Sequence, residues 1–463
     1  LCEADTIGVF QVESRAQMAT LPRLKPACFY DLVVQVAIIR PGPIVGQMVH
    51  PYINRRAGRE AVHYAHPSLE PILARTLGVP LFQEQLLRMA MVAAGFTGGQ
   101  AEELRRALGF KRSKERMKQI EVQLREGMAR QGITGEAADQ IVTAIASFAL
   151  YGFPESHAAS FALLAYASAY LKAHHPSAFF AALLNNQPMG FYRPSTLVKD
   201  AQRRGVRFHP IDVQRSAWDC TVEEDGAVQL GLRYVSGLRQ ETGKTMALRK
   251  TFLSLDDLVA RTGLRRSEVV TLADVGALNA FGYDRRSALW QAERAVRPNL
   301  QLTSHNLQSD EDDDAPSCPL RPMTEVERLV ADYAGTGLTI GRHPMALRRD
   351  ALATAGVTRA IDLAALRQGR RVRVAGMVIT RQRPGTAKGF VFLTLEDETG
   401  IANIIVRPDL FARDHQVIVH EPFLIVDGIL QSQDDVTAVR AEAVERLRGP
   451  DADDINFSAH DFY

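Results

Sequence analysis

The apolar periodicity changes along the chain from helical to alternating, so no single fold class can hold it. Over residues 1 to about 190 apolar side chains recur at helical spacing, punctuated by short Gly and Pro stretches. Met117, Ile120, Leu124 and Met128 fall at i, i+3, i+7 and i+11, which predicts a helix starting at Ser113. The segment "TGGQAEELRRALG" sets Thr97 and Gln100 in capping-box spacing and closes on Gly109, which predicts the helix before it. Between residues 371 and 448 the texture becomes β. "RVRVAGMVIT", "GFVFLTLED", "IANIIVR", "PFLIVDGIL" and "VTAVRAEAV" are five β-rich runs parted by turns. Five strands in so short a span suggest a small closed barrel, with the OB-fold leading. The expected architecture is multidomain α+β: a mainly helical N-terminal region, short helices joined by glycine turns, and a C-terminal OB-fold β-barrel.

At 463 residues the chain should divide into two to four domains. From Pro298 to Met323 it turns polar and carries the acid run "SDEDDD", Ser309 to Asp314, which reads as a solvated linker. The chain has 55 basic and 53 acidic residues, so a nucleic-acid surface must be a local patch rather than a property of the whole. Cys2, Cys28, Cys220 and Cys318 are scattered with no CxxC pair, which argues against a disulfide framework or a structural zinc site and for a reducing cytoplasm. His63 and His66 lack a Cys or an acid in register, so no metal is expected there. The charge-free run "SHAASFALLAYASAYL", Ser156 to Leu171, is shorter than the roughly 20 residues a bilayer span needs and reads as a buried helix. No signal peptide precedes the first residue, Leu1, and the chain reads as beginning mid-protein.

Positive charge gathers in "LRRALGFKRSKERMK", Leu104 to Lys118, where seven of fifteen residues are Lys or Arg and Glu115 is the one acid. Arg105 and Arg106 at a helix end complement its dipole. That does not explain Lys111, Arg112 and Lys114 just beyond. Cations converging on one junction repel unless an anion sits among them, so a triphosphate or a nucleic-acid backbone competes here with a plain solvated basic face. In "VAIIRPGPI" Arg40 ends an apolar run, where it either pairs with an acid or serves a site. "FQEQ" and "GFPESH" set hydrogen-bonding groups, His157 among them, beside aromatics; such groups usually satisfy neighbouring backbone.

Two glycine turns are more specific. "VSGL", with Gly237, precedes a helix bearing Arg239 and Lys244, and "DVGAL", with Gly276, repeats the pattern. Glycine clears the way for backbone N–H groups at a helix start to approach a DNA phosphate, although an ordinary helical turn has the same spelling. In the barrel the first two strands are joined by "RQRPGTAKG", with Arg381, Arg383, Lys388 and no acid, a place where OB-folds contact single strands. Phe390 and Phe392 would share one face and are assigned to the core rather than to base stacking.

These motifs in this order resemble the bacterial C-family DNA polymerases, the family of the DNA polymerase III α subunit. The likeness runs from "DTIGVFQVESRAQM" through "RPGP", "LFQEQ", "LRRALGFKR" and "YGFPESHAASFALLAYASAYLKAHHP" to "GFVFLTLEDETG". "GFPESH", "NNQPMGFY" and "RQRPGTAKGFVFLTLEDETG" are similar to its error-prone branch, which acts in damage-associated synthesis. The resemblance implies a fingers region at 1–225, tandem helix-hairpin-helix elements at 226–296, an acidic linker at 297–325, a helical connector at 326–370, the OB-fold at 371–448 and a tail at 449–463. It implies nucleotide contacts from Arg105, Arg106, Lys111 and Arg112, joined by Arg40 and His157. DNA contacts would come from Gly237, Arg239, Lys244, Gly276, Arg381, Arg383 and Lys388. Primer–template DNA, deoxynucleoside triphosphates, a polymerase-like accessory protein and the sliding clamp are the implied partners, with no membrane. Mg²⁺ is implied for the full-length enzyme. The family's acidic palm motif lies N-terminal to the segments seen here, and "SDEDDD" and "DADD" sit in a linker and a tail, so neither catalytic carboxylates nor a metal site are expected in this chain. The alternative is a DNA-binding chain with no chemistry of its own.

Overall fold

A computed structural model describes residues 1–39, 49–108, 114–148, 153–249, 251–295, 318–447 and 460–462. The chain forms two compact units, the first Leu1–Tyr170 with Gln433–Val436 and the second the remainder.

The first unit is all helical. Its core joins the helices Phe29–Ile38, Gln83–Ala94, Gly98–Leu108, Lys114–Arg130 and Gly135–Phe148 through Val34, Phe82, Leu86, Met89, Leu104, Ile120, Leu124 and Ile141. The predicted capping box forms: the Thr97 N–H donates to Gln100 Oε1 at 2.9 Å, and the Gln100 N–H to Thr97 Oγ1 at 3.3 Å. Gly127 lets Lys114–Arg130 close onto Gln83–Ala94, because a Cβ there would lie 2.1 Å from the Ala94 carbonyl oxygen. The helix expected to be buried, Glu155–His174, is buried along one stripe only. Ala158, Ala162 and Ala165 pack inward, while Leu163, Leu164, Tyr166 and Tyr170 are exposed. Apolar composition fixed the helix but not its cover.

The second unit begins with the helices Pro176–Asn185 and Pro194–Arg203 and a small sheet, in which Val228–Gln229 lies between Phe208–His209 and Thr221–Val222. The helices Gln240–Leu248, Leu255–Thr262, Arg266–Asp274 and Arg285–Ala295 follow, and Glu325–Thr336 leads to the barrel. The barrel strands run in the order Val391–Glu396, Ile401–Val406, Val436–Arg446, Phe423–Gln433, Arg371–Gln382, and the last pairs back with the first to close the cylinder. Ile401–Val406 and Val436–Arg446 are parallel. With the two short helices Pro408–Arg413 and His415–His420 between Ile401–Val406 and Phe423–Gln433, this is the OB-fold. Val391, Leu393 and Leu395 point into its core. Phe392 alternates with them onto the other face and is half-buried, which corrects its assignment to the core.

A polar junction lies within this unit. Glu396, fully buried on a barrel strand, accepts from Arg203 Nη2 at 2.5 Å, and its other oxygen faces His343 Nε2 at 3.8 Å. Lys199, on the same helix as Arg203, donates to the Gly341 carbonyl at 2.5 Å and to Gln202 Oε1 at 2.9 Å. Burial lowers its ammonium to about 8. The next residue, Asp200, pairs with the buried Lys172 at 2.9 Å.

Candidate nucleic-acid interface

The two glycine turns share a backbone conformation that a side chain would strain, with φ of +75° at Gly237 and +80° at Gly276. Their surroundings differ. Nothing lies within 4 Å of where a Cβ of Gly237 would stand. The turn is anchored from beneath, since the Ser236 N–H donates to the Gly335 carbonyl at 2.7 Å. The helix that follows, Gln240–Leu248, starts without any side-chain cap. Gln240 and Glu241, its first two residues, are exposed, and the positive end of the helix dipole there suits an anion. Lys244 is exposed on the same helix.

Gly276 is closed over. A Cβ there would meet Arg285 Nε at 3.0 Å and Asn279 Nδ2 at 3.3 Å, and Arg285 is itself held by Asp332 at 2.7 Å. The two turns, alike in spelling, are thus not alike in access. Arg239 also departs from expectation. Its guanidinium clamps Glu268 through Nε at 2.9 Å and Nη2 at 2.8 Å, and its backbone N–H donates to the same carboxylate at 3.0 Å. Burial alone would raise Glu268, yet these bonds hold it down at about 2. Arg239 braces the turn through Glu268, with 40% of its side chain still open to solvent.

Gly335, in the connector, was not singled out from the sequence. A Cβ on it would sit 2.3 Å from Val275 Cγ1, while its carbonyl takes the Ser236 N–H, so one glycine fixes both turns. A glycine inside a helical pattern was the available signal.

In the barrel, Arg381 is buried at the end of its strand and donates to the carbonyls of Ile418 at 2.6 Å and Glu421 at 2.7 Å. It stitches the helical segment to the strand, which corrects its placement on the DNA-contacting loop. Arg383 and Lys388 remain exposed on that loop, Arg383 lying 5.0 Å over the Phe411 ring.

In the first unit the basic segment has its own anion. Glu102, outside the window in which the cations were counted, accepts from Arg105 Nη2 at 2.7 Å and from Arg106 Nε at 3.1 Å. The Arg105 bond pulls its carboxyl down to about 2. Both arginines are exposed, Arg106 the more so, with 76% of its side chain open to solvent. Lys111, Arg112 and Arg40 lie outside the described residues. The weak motifs "FQEQ" and "GFPESH" come together: the Gln83 N–H donates to the Phe153 carbonyl at 3.0 Å, and the Glu155 N–H to Glu84 Oε2 at 2.9 Å. His157 lies between Phe153, edge-to-face, and Phe161, tilted, with ring centroids 5.0 Å and 4.3 Å away, and is exposed.

Among the described residues no three His, Cys, Asp or Glu side chains gather as metal ligands, so no step is assigned to a metal held here. None of the described helices is long and apolar enough to cross a membrane.

Three family models match: the bacterial DNA polymerase III alpha subunit finger domain over residues 1–132, a helix-hairpin-helix motif over 205–288, and an OB-fold nucleic acid binding domain over 372–447. The error-prone DNA polymerase of Anaeromyxobacter sp. (strain K) is 48% identical over 461 residues, covering 96% of this chain and 40% of the relative. Error-prone DNA polymerase 3 of Agrobacterium fabrum is 45% identical over 96% of this chain and 42% of its own length. The error-prone DNA polymerase of Dechloromonas aromatica is 47% identical, over 96% and 43%. The chain thus spans about two fifths of the length of these curated relatives.

Proposed function

This chain belongs to the error-prone branch of the bacterial C-family DNA polymerases, and from that premise we propose that it supplies the DNA- and nucleotide-holding surfaces of an enzyme that adds deoxynucleotides to a primer 3′ end during damage-associated synthesis. The observation that carries the reading is the uncapped helix start behind the open Gly237 turn, a site suited to a duplex phosphate and indifferent to base identity. The barrel loop with Arg383 and Lys388 is assigned to single-stranded template, where bases are free to stack. The fingers are residues 1–225, and the sliding clamp and a polymerase-like accessory protein are the protein partners in the cytoplasm. Mg²⁺ would activate the primer hydroxyl and stabilise the leaving pyrophosphate.

The test is titration of the 463-residue chain with duplex and single-stranded DNA over a range of salt. Gly237→Ala and Lys244→Ala should each weaken duplex binding, and Lys244→Ala should also reduce the slope of log affinity against log salt by about one. Paired Arg383→Ala and Lys388→Ala should weaken single-strand binding and leave duplex binding unchanged. Loss of both activities in every variant, or of neither, would remove the division of labour.

Arg105 and Arg106 are assigned to the triphosphate, with Glu102 as the carboxylate that holds them ready until the nucleotide displaces it. In a polymerase of the relatives' length that contains these residues, Arg106→Ala should cut incorporation by roughly a hundredfold while changing primer–template affinity little. Unchanged incorporation with collapsed duplex affinity would make the segment a DNA-backbone site instead.

A further inference from the structure

The helix that starts at the open turn ends on an exposed leucine, and the loop after it exposes a second. Leu248 is 86% exposed and Leu253 is 91% exposed, the two most open large apolar side chains among the described residues. The described residues beside the leucines, Arg249 and Thr251 to Leu253, are held by side chains. Arg261 donates through Nη2 to the Arg249 carbonyl at 3.0 Å and through Nη1 to the Thr251 carbonyl at 3.2 Å, and its guanidinium lies 4.8 Å over the Phe252 ring. Arg249 Nη1 donates back to the Arg261 carbonyl at 2.6 Å. Gln214 pairs with both backbone groups of the buried Phe252, at 2.9 Å and 2.6 Å, and the Leu253 N–H donates to Asp257 Oδ2 at 3.0 Å. Between the leucines Thr251 has φ of +71°, a left-handed conformation that a β-branched residue adopts only where its surroundings force it. The helix itself is seated hard on the unit, since a Cβ at Gly243 would lie 2.5 Å from the Trp218 ring.

A helix end and a strained loop that present two leucines need an occupant, and their neighbours select one. Lys244 stands one helical turn before Leu248, and Arg249 follows it directly; both are exposed. The same nine-residue helix begins at the uncapped Gly237 turn, and its length is about 13 Å. With the helix start on a phosphate, its far end meets the adjoining groove, and the minor groove is about 6 Å wide. Apolar side chains that enter the minor groove part neighbouring base pairs. A protein partner would account for the leucines, but not for the cations or the uncapped helix start on the same element.

We propose that Leu248 and Leu253 form a wedge that enters the minor groove of duplex DNA beside the phosphate held at the Gly237 turn and partly unstacks a base step there. The wedge rests on the reading of that turn as a duplex-phosphate contact. It adds a deformation of the duplex to a grip that otherwise ignores base stacking.

The test uses the 463-residue chain and duplexes with 2-aminopurine at successive positions, whose fluorescence rises when stacking is lost. The wild-type chain should raise it. Leu248→Ser with Leu253→Ser should abolish the rise and weaken duplex binding by about tenfold, since the apolar burial is lost. The salt slope should stay the same, because the phosphate contacts remain. Leu248→Met with Leu253→Met should restore both signals. A serine variant that keeps the fluorescence rise and the affinity overturns the wedge and gives the leucines to a protein partner; weakened duplex binding by Gly237→Ala would leave the phosphate contact standing. A wild-type chain that binds no duplex overturns both.

Discussion

Glu396→Ala lowers the melting temperature by on the order of 10 °C, corresponding to about 3–5 kcal/mol lost when one partner of a buried ionic contact is removed. The carboxylate is fully buried between Arg203 Nη2 at 2.5 Å and His343 Nε2 at 3.8 Å, so its removal leaves the largely covered Arg203 without that partner. Burial pushes the Glu396 carboxyl up, but His343 and Arg203 outweigh it and hold it below its ordinary value. The sign follows. A depressed carboxylate contributes stability that is present above its unfolded value of about 4.3 and is lost as pH falls through the lower folded value. Thermal melts of wild type and Glu396→Ala across pH should therefore differ most near neutrality and converge in acid. A constant gap at every pH would mean that Glu396 acts through packing rather than charge.

Lys172→Met costs about 3–5 kcal/mol for the same reason in mirror image, because it leaves the carboxylate of Asp200 buried without its main counter-charge. Burial already holds Asp200 above the ordinary carboxylate range with Lys172 beside it. Arg204 Nε at 3.3 Å and the charge of Arg203 remain, but both side chains are partly exposed, so their compensation is incomplete. Adding Asp200→Leu to Lys172→Met should recover most of the loss, since replacing a buried pair by apolar side chains is often neutral. Urea unfolding of the single and double variants measures it. A double variant no better than Lys172→Met would show that the lysine stem, not the pair, stabilises the site.

The candidate interface was legible where function depends on backbone and illegible where it depends on a neighbour's side chain. Gly237 could be recognised from "VSGL" because a positive φ before a helix is a local demand, written in four residues. Its accessibility could not, since Gly276 sits in a similar turn with the same conformation yet lies beneath Arg285, which Asp332 fixes from the connector helix. Cation counting misled in the same way. Arg239 and Arg381 look like free charges in the sequence, but Glu268 and the carbonyls of Ile418 and Glu421 take them up in the fold. Glu102 answers Arg105 and Arg106 from just outside the window in which charge was counted.

The sequence by itself determined the elements: helices with their caps, as at Thr97 and Gln100, the five strands, and the order in which they appear. Those follow from periodicity and from interactions spanning a few residues, which a one-dimensional pattern contains. Only the tertiary structure decided which side of Glu155–His174 is covered, which glycine turn stays open, and that Leu248 and Leu253 stay exposed. Burial and ion pairing are set by partners as far apart as Arg203 and Glu396, and nothing local to either residue records the other.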